Sequence, residues 1–93
     1  MTREEFEKRL KERLKNATND YKKELEKIKE DKIEDTLDLY LRDKKIKILI
    51  FKLINRIMSE NNADITSVSP KNIKGIAKYN EIYDVEFEIN FNE

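Results

Sequence analysis

The sequence predicts an α+β fold that is mainly α-helical: a three-helix assembly with a long N-terminal helix and a C-terminal β-hairpin. Three observations predict this fold. Apolar residues recur at helical spacing near the N-terminus, they recur again through the middle of the chain, and they alternate with polar residues near the C-terminus. The chain has 93 residues. Because that length supports one modest core, we expect residues 1–93 to form a single domain.

The first predicted helix covers residues 2–30. It begins with a capping box, in which the side chains of Thr2 and Glu5 each accept a hydrogen bond from an exposed backbone N–H. Its apolar residues repeat with an eleven-residue period, which places them in a nearly straight stripe. At 1.5 Å per residue the helix would be about 40 Å long, more than a small core requires. We therefore expect the stripe to contact another subunit at Phe6, Leu10, Leu14, Tyr21 and Leu25. A surface helix that only covers its own core is the alternative.

The middle of the chain predicts two further helices. A short amphipathic helix over residues 32–42 follows a second capping box at Asp31 and Glu34, although an unbroken first helix is the alternative. A third helix over residues 44–61 follows a cap at Asp43. It is apolar nearly all round, which is typical of a buried helix. Its β-branched residues would also fit a strand, but its length favours a helix.

The last part of the chain predicts a loop and then a hairpin. Residues 63–72 are rich in turn-forming side chains, so we expect a loop there. Residues 73–91 show the two-residue alternation of half-buried strands. A three-residue turn at 80–82 pairs the two apolar faces in phase, and the expected pairs are Tyr79–Tyr83, Ala77–Val85, Ile73–Ile89, Lys78–Asp84 and Lys74–Glu88. The hairpin would contact the helices or another protein through Tyr83, Phe87 and Phe91.

The composition excludes most catalytic chemistry. The chain has no Cys and no His, and its single Gly cannot form a glycine-rich phosphate loop. We therefore expect no enzymatic activity, no cofactor and no metal. The acidic cluster at Glu34, Asp35 and Asp38 has the ligands for Mg²⁺, but a solvated helix face explains it. The longest apolar run is far shorter than the roughly 20 residues that cross a bilayer. With no signal-like N-terminus, we expect a cytoplasmic protein without a membrane partner.

The charge pattern allows nucleic-acid binding at one place in the chain. The net charge is zero, so no basic field covers the whole chain. The third predicted helix is locally basic, and Lys45, Lys52 and Arg56 lie near one face where they could contact phosphates. The structural alternative is that these side chains extend around a buried helix and pair with the acidic cluster. Nucleic-acid binding through the Lys44–Arg56 face is therefore an alternative function.

Four segments within residues 37–79 carry a family resemblance: Leu39-Tyr40-Leu41-Arg42-Asp43, the helix end Asn55-Arg56-Ile57-Met58-Ser59-Glu60, the serine-bearing loop 66–69 and residues 73–76. Together they resemble the small head–tail connector proteins of long-tailed bacteriophages. Those proteins typically end an apolar helix in an Asn-Arg-Leu-Gly-like run and follow it with a Ser-rich turn. Met58 departs from that pattern, since a Gly is expected there.

The resemblance implies a non-enzymatic structural adaptor. Its members are helical bundles that assemble with other copies of themselves as a ring on the portal and join it to the tail. It implies portal and tail-completion proteins as partners, and a location in the host cytoplasm and in the virion. The alternative from the residues alone is a small regulatory or inhibitory protein that binds a host protein.

Overall fold

The computed structural model describes residues 2–80 and 84–91. Two long helices are followed by a three-stranded antiparallel sheet with strand order β1-β2-β3. The elements are α1 (Arg3–Lys29), α2 (Thr36–Asn61), β1 (Ala63–Val68), β2 (Asn72–Lys78) and β3 (Asp84–Asn90). The α+β character agrees with the prediction, and the three-helix assembly is wrong because the second and third predicted helices are one helix.

The first helix forms as the sequence predicts. The Thr2 hydroxyl accepts a hydrogen bond from the Glu5 backbone N–H at 3.2 Å, which satisfies one of the unpaired donors of the first turn. Acidic residues in the first turn and lysines in the last turn complement the helix dipole. The predicted range 2–30 therefore matches α1 to within one residue at each end.

The predicted boundary between helices 32–42 and 44–61 does not exist. The chain leaves helical conformation after α1, near Asp31 as expected, but α2 begins only at Thr36. Its N-cap is Asp35, whose carboxylate accepts a hydrogen bond from the Asp38 N–H at 2.8 Å. At Asp43 the helix continues, because the residues on both sides are good helix formers and no Gly or Pro intervenes. A break there would also leave backbone groups unpaired on each side.

The predicted loop over residues 63–72 is mostly strand. β1 pairs with β2 in antiparallel register, with an irregularity between Ile65 and Ser67. This bulge breaks the two-residue alternation, which explains why the sequence pattern showed no strand. Turn chemistry is confined to the β1–β2 connection, where the Ser69 hydroxyl accepts hydrogen bonds from the N–H groups of Lys71 and Asn72.

The predicted hairpin register is confirmed for the described residues. β2 and β3 are paired with Ala77 opposite Val85 and Ile73 opposite Ile89. The two charge pairs Lys78–Asp84 and Lys74–Glu88 also face each other as predicted. The expected pairing of Tyr79 with Tyr83 lies outside the described residues. Because β1 adds a third strand on the other side of β2, the hairpin is part of a larger sheet.

The core lies at one end of the helical pair, where the sheet covers it. Its buried apolar residues are Leu10, Leu14, Ala17 and Tyr21 of α1, Leu53 and Ile57 of α2, and Ala63, Ile73, Ala77, Val85 and Ile89 of the sheet. From residue 22 to residue 52 no residue is fully buried. The helical pair therefore projects beyond the sheet, and the molecule measures 53 × 20 × 19 Å.

Candidate docking site on the second helix

The second helix is covered on one side only. Leu53, Ile57 and Asn61 are its buried residues, and they face α1 and the sheet. The prediction that this apolar helix is buried all round is therefore wrong. Packing one helix and one small sheet against α2 covers one face, and the described chain has no further layer to cover the opposite one.

The opposite face carries six exposed apolar side chains, which we call the outer stripe, with Lys44 and Asn55 between them on the same face. Its members are between 39% and 66% exposed, and they are Leu37, Tyr40, Leu41, Ile48, Phe51 and Met58. At about 100° per residue they fall within one arc centred opposite Leu53. The stripe runs for about 31 Å along the helix.

The outer stripe is large for a protein of this size. If each of its side chains has an area of roughly 200 Å², the exposed fractions amount to about 600 Å² of apolar surface. The largest apolar patch on a typical monomeric protein is roughly 300–600 Å² and is often functional. The stripe therefore has the size of a protein-docking surface.

Cations lie within and beside the outer stripe. Lys44, Lys45, Lys47 and Lys52 are exposed and lie on the same half of α2 as the stripe. The Lys44 ammonium lies 4.9 Å from the centre of the Tyr40 ring, which is within the range of a cation–π contact. The acidic residues of α2 (Asp38, Asp43 and Glu60) point more than a quarter turn away from the centre of the stripe. The outer half of α2 is therefore apolar and positively charged.

Two of the three predicted phosphate-binding residues already pair with carboxylates. The Lys45 ammonium lies 3.3 Å from the Asp31 carboxylate. The Arg56 guanidinium donates hydrogen bonds of 2.7 Å to both Asp20 and Glu60. The third residue, Lys52, is exposed. The partners are not the acidic cluster that the sequence suggested, and nucleic-acid binding through this face stays a prediction.

Arg56 connects the two helices. Its hydrogen bond to Asp20 lowers the pKa of that carboxyl below its usual value and, together with the bond to Glu60, raises the pKa of Arg56. Asp20 lies on α1 and Arg56 on α2, so the pair fixes one helix against the other beside the core. All three side chains are at least one-third exposed, so solvent weakens the attraction.

The acidic cluster caps the second helix and shows no metal-binding geometry. Asp35 accepts a hydrogen bond from the Asp38 N–H, and Asp38 in turn accepts one from the Glu34 N–H at 3.1 Å. The Glu34 carboxylate lies 3.2 Å from the Lys32 ammonium. Over residues 2–80 and 84–91, no group of three or more acidic side chains is placed to hold a metal ion.

The N-terminal stripe that we expected between subunits packs within its own chain. Leu10, Leu14 and Tyr21 are buried in the core, while Phe6 and Leu25 are half-buried against it. The Phe6 ring contacts Tyr79, with 5.3 Å between ring centres. The chain's own sheet and α2 therefore cover most of this stripe, and a contact with another subunit at these residues stays a prediction.

The predicted contact residues of the last strand also face inward where they are described. Phe91 packs against Tyr21 with 5.3 Å between ring centres. Phe87 lies over Gly75: a Cβ atom at Gly75 would be 2.5 Å from Phe87 Cζ and 2.7 Å from the Asp64 carbonyl oxygen. Tyr83 lies outside the described residues. Gly75 is therefore required by the close approach of its neighbours.

The outer stripe has a signal in the sequence that the expectation of a buried helix did not include. Leu37, Leu41, Ile48, Phe51 and Met58 follow a seven-residue repeat, whereas the buried residues Leu53 and Ile57 lie outside that repeat. Separating these two sets shows two apolar faces on one helix. The single core of this domain covers only one of these two faces, so the other face remains exposed.

Comparisons with protein-family models, with curated proteins and with solved structures found no match to this chain. The resemblance to head–tail connectors therefore stays a prediction from residues 37–79. Among residues 2–80 and 84–91, neither helix has the length and hydropathy needed to cross a membrane.

Proposed function

We propose that the chain is a non-enzymatic adaptor that binds another protein through the outer stripe of α2. The observation that carries the proposal is about 600 Å² of exposed apolar surface on a helix whose C-terminal end is anchored in the core through Leu53 and Ile57. A rigid helix presents its side chains in a defined geometry, so little conformational entropy is lost when a partner binds.

The charge around the stripe favours a partner other than a second copy. If two chains paired antiparallel through Ile48, Lys44 of one chain would lie near Lys52 of the other. Like charges that meet in an interface destabilise it. A partner with carboxylates around an apolar centre pairs with the same lysines, so we expect the partner to be an acidic surface of a different protein.

The connector role is a narrower form of this proposal. The portal would then be the partner, and copies of the chain would associate through a surface other than the outer stripe. Light scattering at high protein concentration, with and without a purified portal, tests both points. A strict monomer that fails to bind the portal contradicts the connector role and leaves the regulatory alternative, in which the partner is a host protein.

Site-specific cross-linking tests the proposal. The photoreactive residue benzoylphenylalanine replaces Phe51, which is the most exposed member of the stripe, in cells that produce the protein. The control position is Leu39, which is exposed on the opposite side of the same helix. We expect a discrete adduct from position 51 and none from position 39, with the partner identified by mass spectrometry.

Two outcomes contradict the proposal. One is that no adduct forms with benzoylphenylalanine at position 51 and none forms when it replaces Leu41, another residue of the stripe. The other is an adduct that contains only a second copy of this chain.

A further inference from the structure

Five of the six residues of the outer stripe lie on the spacing of a coiled-coil seam, and Tyr40 lies beside it. Seven exposed positions of α2 are separated alternately by four and three residues, and they are Leu37, Leu41, Lys44, Ile48, Phe51, Asn55 and Met58. That repeat keeps a row of side chains in contact with a second helix that crosses at about 20°. Five of the seven are apolar, which is enough to form such a contact.

We infer that the outer stripe binds an acidic amphipathic α-helix of another protein, packed in coiled-coil register with carboxylates facing Lys44 and Lys52. This inference rests on the proposed function and specifies the partner. The apolar residues of the bound helix fill the spaces between Leu41, Ile48 and Phe51, and its acidic residues lie along both edges of the contact.

The geometry favours a helix over other apolar partners. The stripe follows a seven-residue repeat over about six turns, which matches a second helix of similar length that supercoils gently with α2. A lipid surface fits less well, because Lys44 and Asn55 lie within the seam and would be moved toward the acyl chains together with the apolar residues. Burying those polar groups without partners is costly. A facing helix offers a carboxylate to Lys44 and a hydrogen-bonding side chain to Asn55.

The lysines select the charge of the bound helix. Charges beside a coiled-coil seam determine which helices pair, because opposite charges attract across the interface and like charges repel. Around this seam Lys45, Lys47 and Lys52 lie at the edges and Lys44 lies inside it, while the acidic residues of α2 face away. Lys45 pairs with Asp31. A basic helix, or a second α2, still meets Lys44, Lys47 and Lys52, for which the described residues provide no carboxylate partner within 4 Å.

A designed peptide tests the inference with the full chain. The probe is a fluorescent peptide of about 28 residues, four heptads with Leu along the seam and Glu at the flanking positions. Because its own glutamates repel each other, the peptide has little tendency to pair with itself. We expect saturable binding by fluorescence anisotropy, at least about tenfold tighter than for a peptide of the same composition with its seam positions scrambled.

A matched pair of variants locates the binding face. Leu41 is 46% exposed and Leu39 is 41% exposed, but only Leu41 belongs to the seam. We expect Leu41→Glu to weaken peptide binding at least about tenfold and Leu39→Glu to leave it unchanged. Circular dichroism establishes that both variants keep the helical content of the parent chain.

Charge reversal tests the selection of the partner. We expect the double variant Lys44→Glu and Lys52→Glu to lose its affinity for the Glu-flanked peptide. The same variant should bind a peptide in which Lys replaces the flanking Glu residues. Three results overturn the inference: no binding of the peptide, equal binding of both charge versions by the parent chain, or tighter binding to phosphatidylserine vesicles than to the peptide. If the adduct at position 51 forms while the peptide fails to bind, the proposed function stands and the acidic helix is excluded.

Discussion

Two isoleucines of α2 allow the covered and exposed faces to be compared with one substitution. Ile57 is 0% exposed and Ile48 is 55% exposed. They are nine residues apart, which places them on opposite sides of the helix. Changing each to Ala removes the same atoms from the same helix, so the difference in unfolding free energy reports on the packing of each face.

The expected magnitudes differ widely. Ile57→Ala removes buried methyl and methylene groups worth about 0.8 kcal/mol each and leaves a cavity, so we expect a loss of roughly 3–4 kcal/mol. Ile48→Ala removes atoms that are already half in water, and Ala is the better helix former, so we expect a change within about 0.5 kcal/mol. Ile57→Val should cost about 1 kcal/mol and keeps the comparison valid if Ile57→Ala does not fold.

Urea unfolding followed by far-UV circular dichroism measures these differences. The slopes should agree among the variants, which shows that the same surface is exposed on unfolding. If Ile48→Ala destabilises the isolated chain by more than about 1.5 kcal/mol, the outer stripe is covered in that chain. The distinction between the two faces of α2 would then be refuted.

Three further outcomes follow from single contacts. Gly75→Ala should cost roughly 1–3 kcal/mol in urea unfolding, and adding Phe87→Leu should recover only part of the loss, because a backbone oxygen also lies 2.7 Å from the added carbon. Asn62 ends α2 with a φ of 47°, so Asn62→Ala should cost about 1 kcal/mol while Asn62→Gly leaves the urea midpoint equal or higher. The hydrogen bond from Arg56 lowers the pKa of Asp20 below the ordinary value of a carboxyl group, so the ionised carboxylate favours the folded state at neutral pH and this contribution is lost as the pH falls through the lowered pKa. Asp20→Asn should therefore flatten the acid side of the stability profile, and an unchanged profile would contradict the Asp20–Arg56 pairing.

The register of the hairpin could be predicted because local patterns determine it. The alternation from Val85 to Phe91 and the opposite charges of Lys74 and Glu88 agree on one register. The start of α1 could be predicted for the same reason, since Thr2 and Glu5 form the cap between them. In both cases the residues that determine the structure are close in sequence or form a repeated pattern.

The course of the middle of the chain depends on packing that the sequence does not display. Asp43 has the chemistry of an N-cap, but the helix continues through it because its neighbours propagate the helix. Residues 63–68 contain the strand formers Ile65, Thr66 and Val68 but no clear two-residue alternation. They form β1 because they pair with the edge of β2 and pack against α2. The hydrophobicity of α2 predicted that the helix is buried on all sides. The rest of the described chain covers only one face of α2, so the opposite face is exposed.

Hydroxyl-radical footprinting with mass spectrometry measures the exposure of the outer stripe most directly. It compares the oxidation rates of Phe51 and Tyr21, which are 66% and 8% exposed, in the isolated chain and with the Glu-flanked peptide bound. We predict rapid oxidation of Phe51 in the isolated chain, slow oxidation of Tyr21 in both states, and protection of Phe51 by the peptide. Protection of Phe51 in the isolated monomeric chain, or equal oxidation of Phe51 with and without the peptide, would contradict the account.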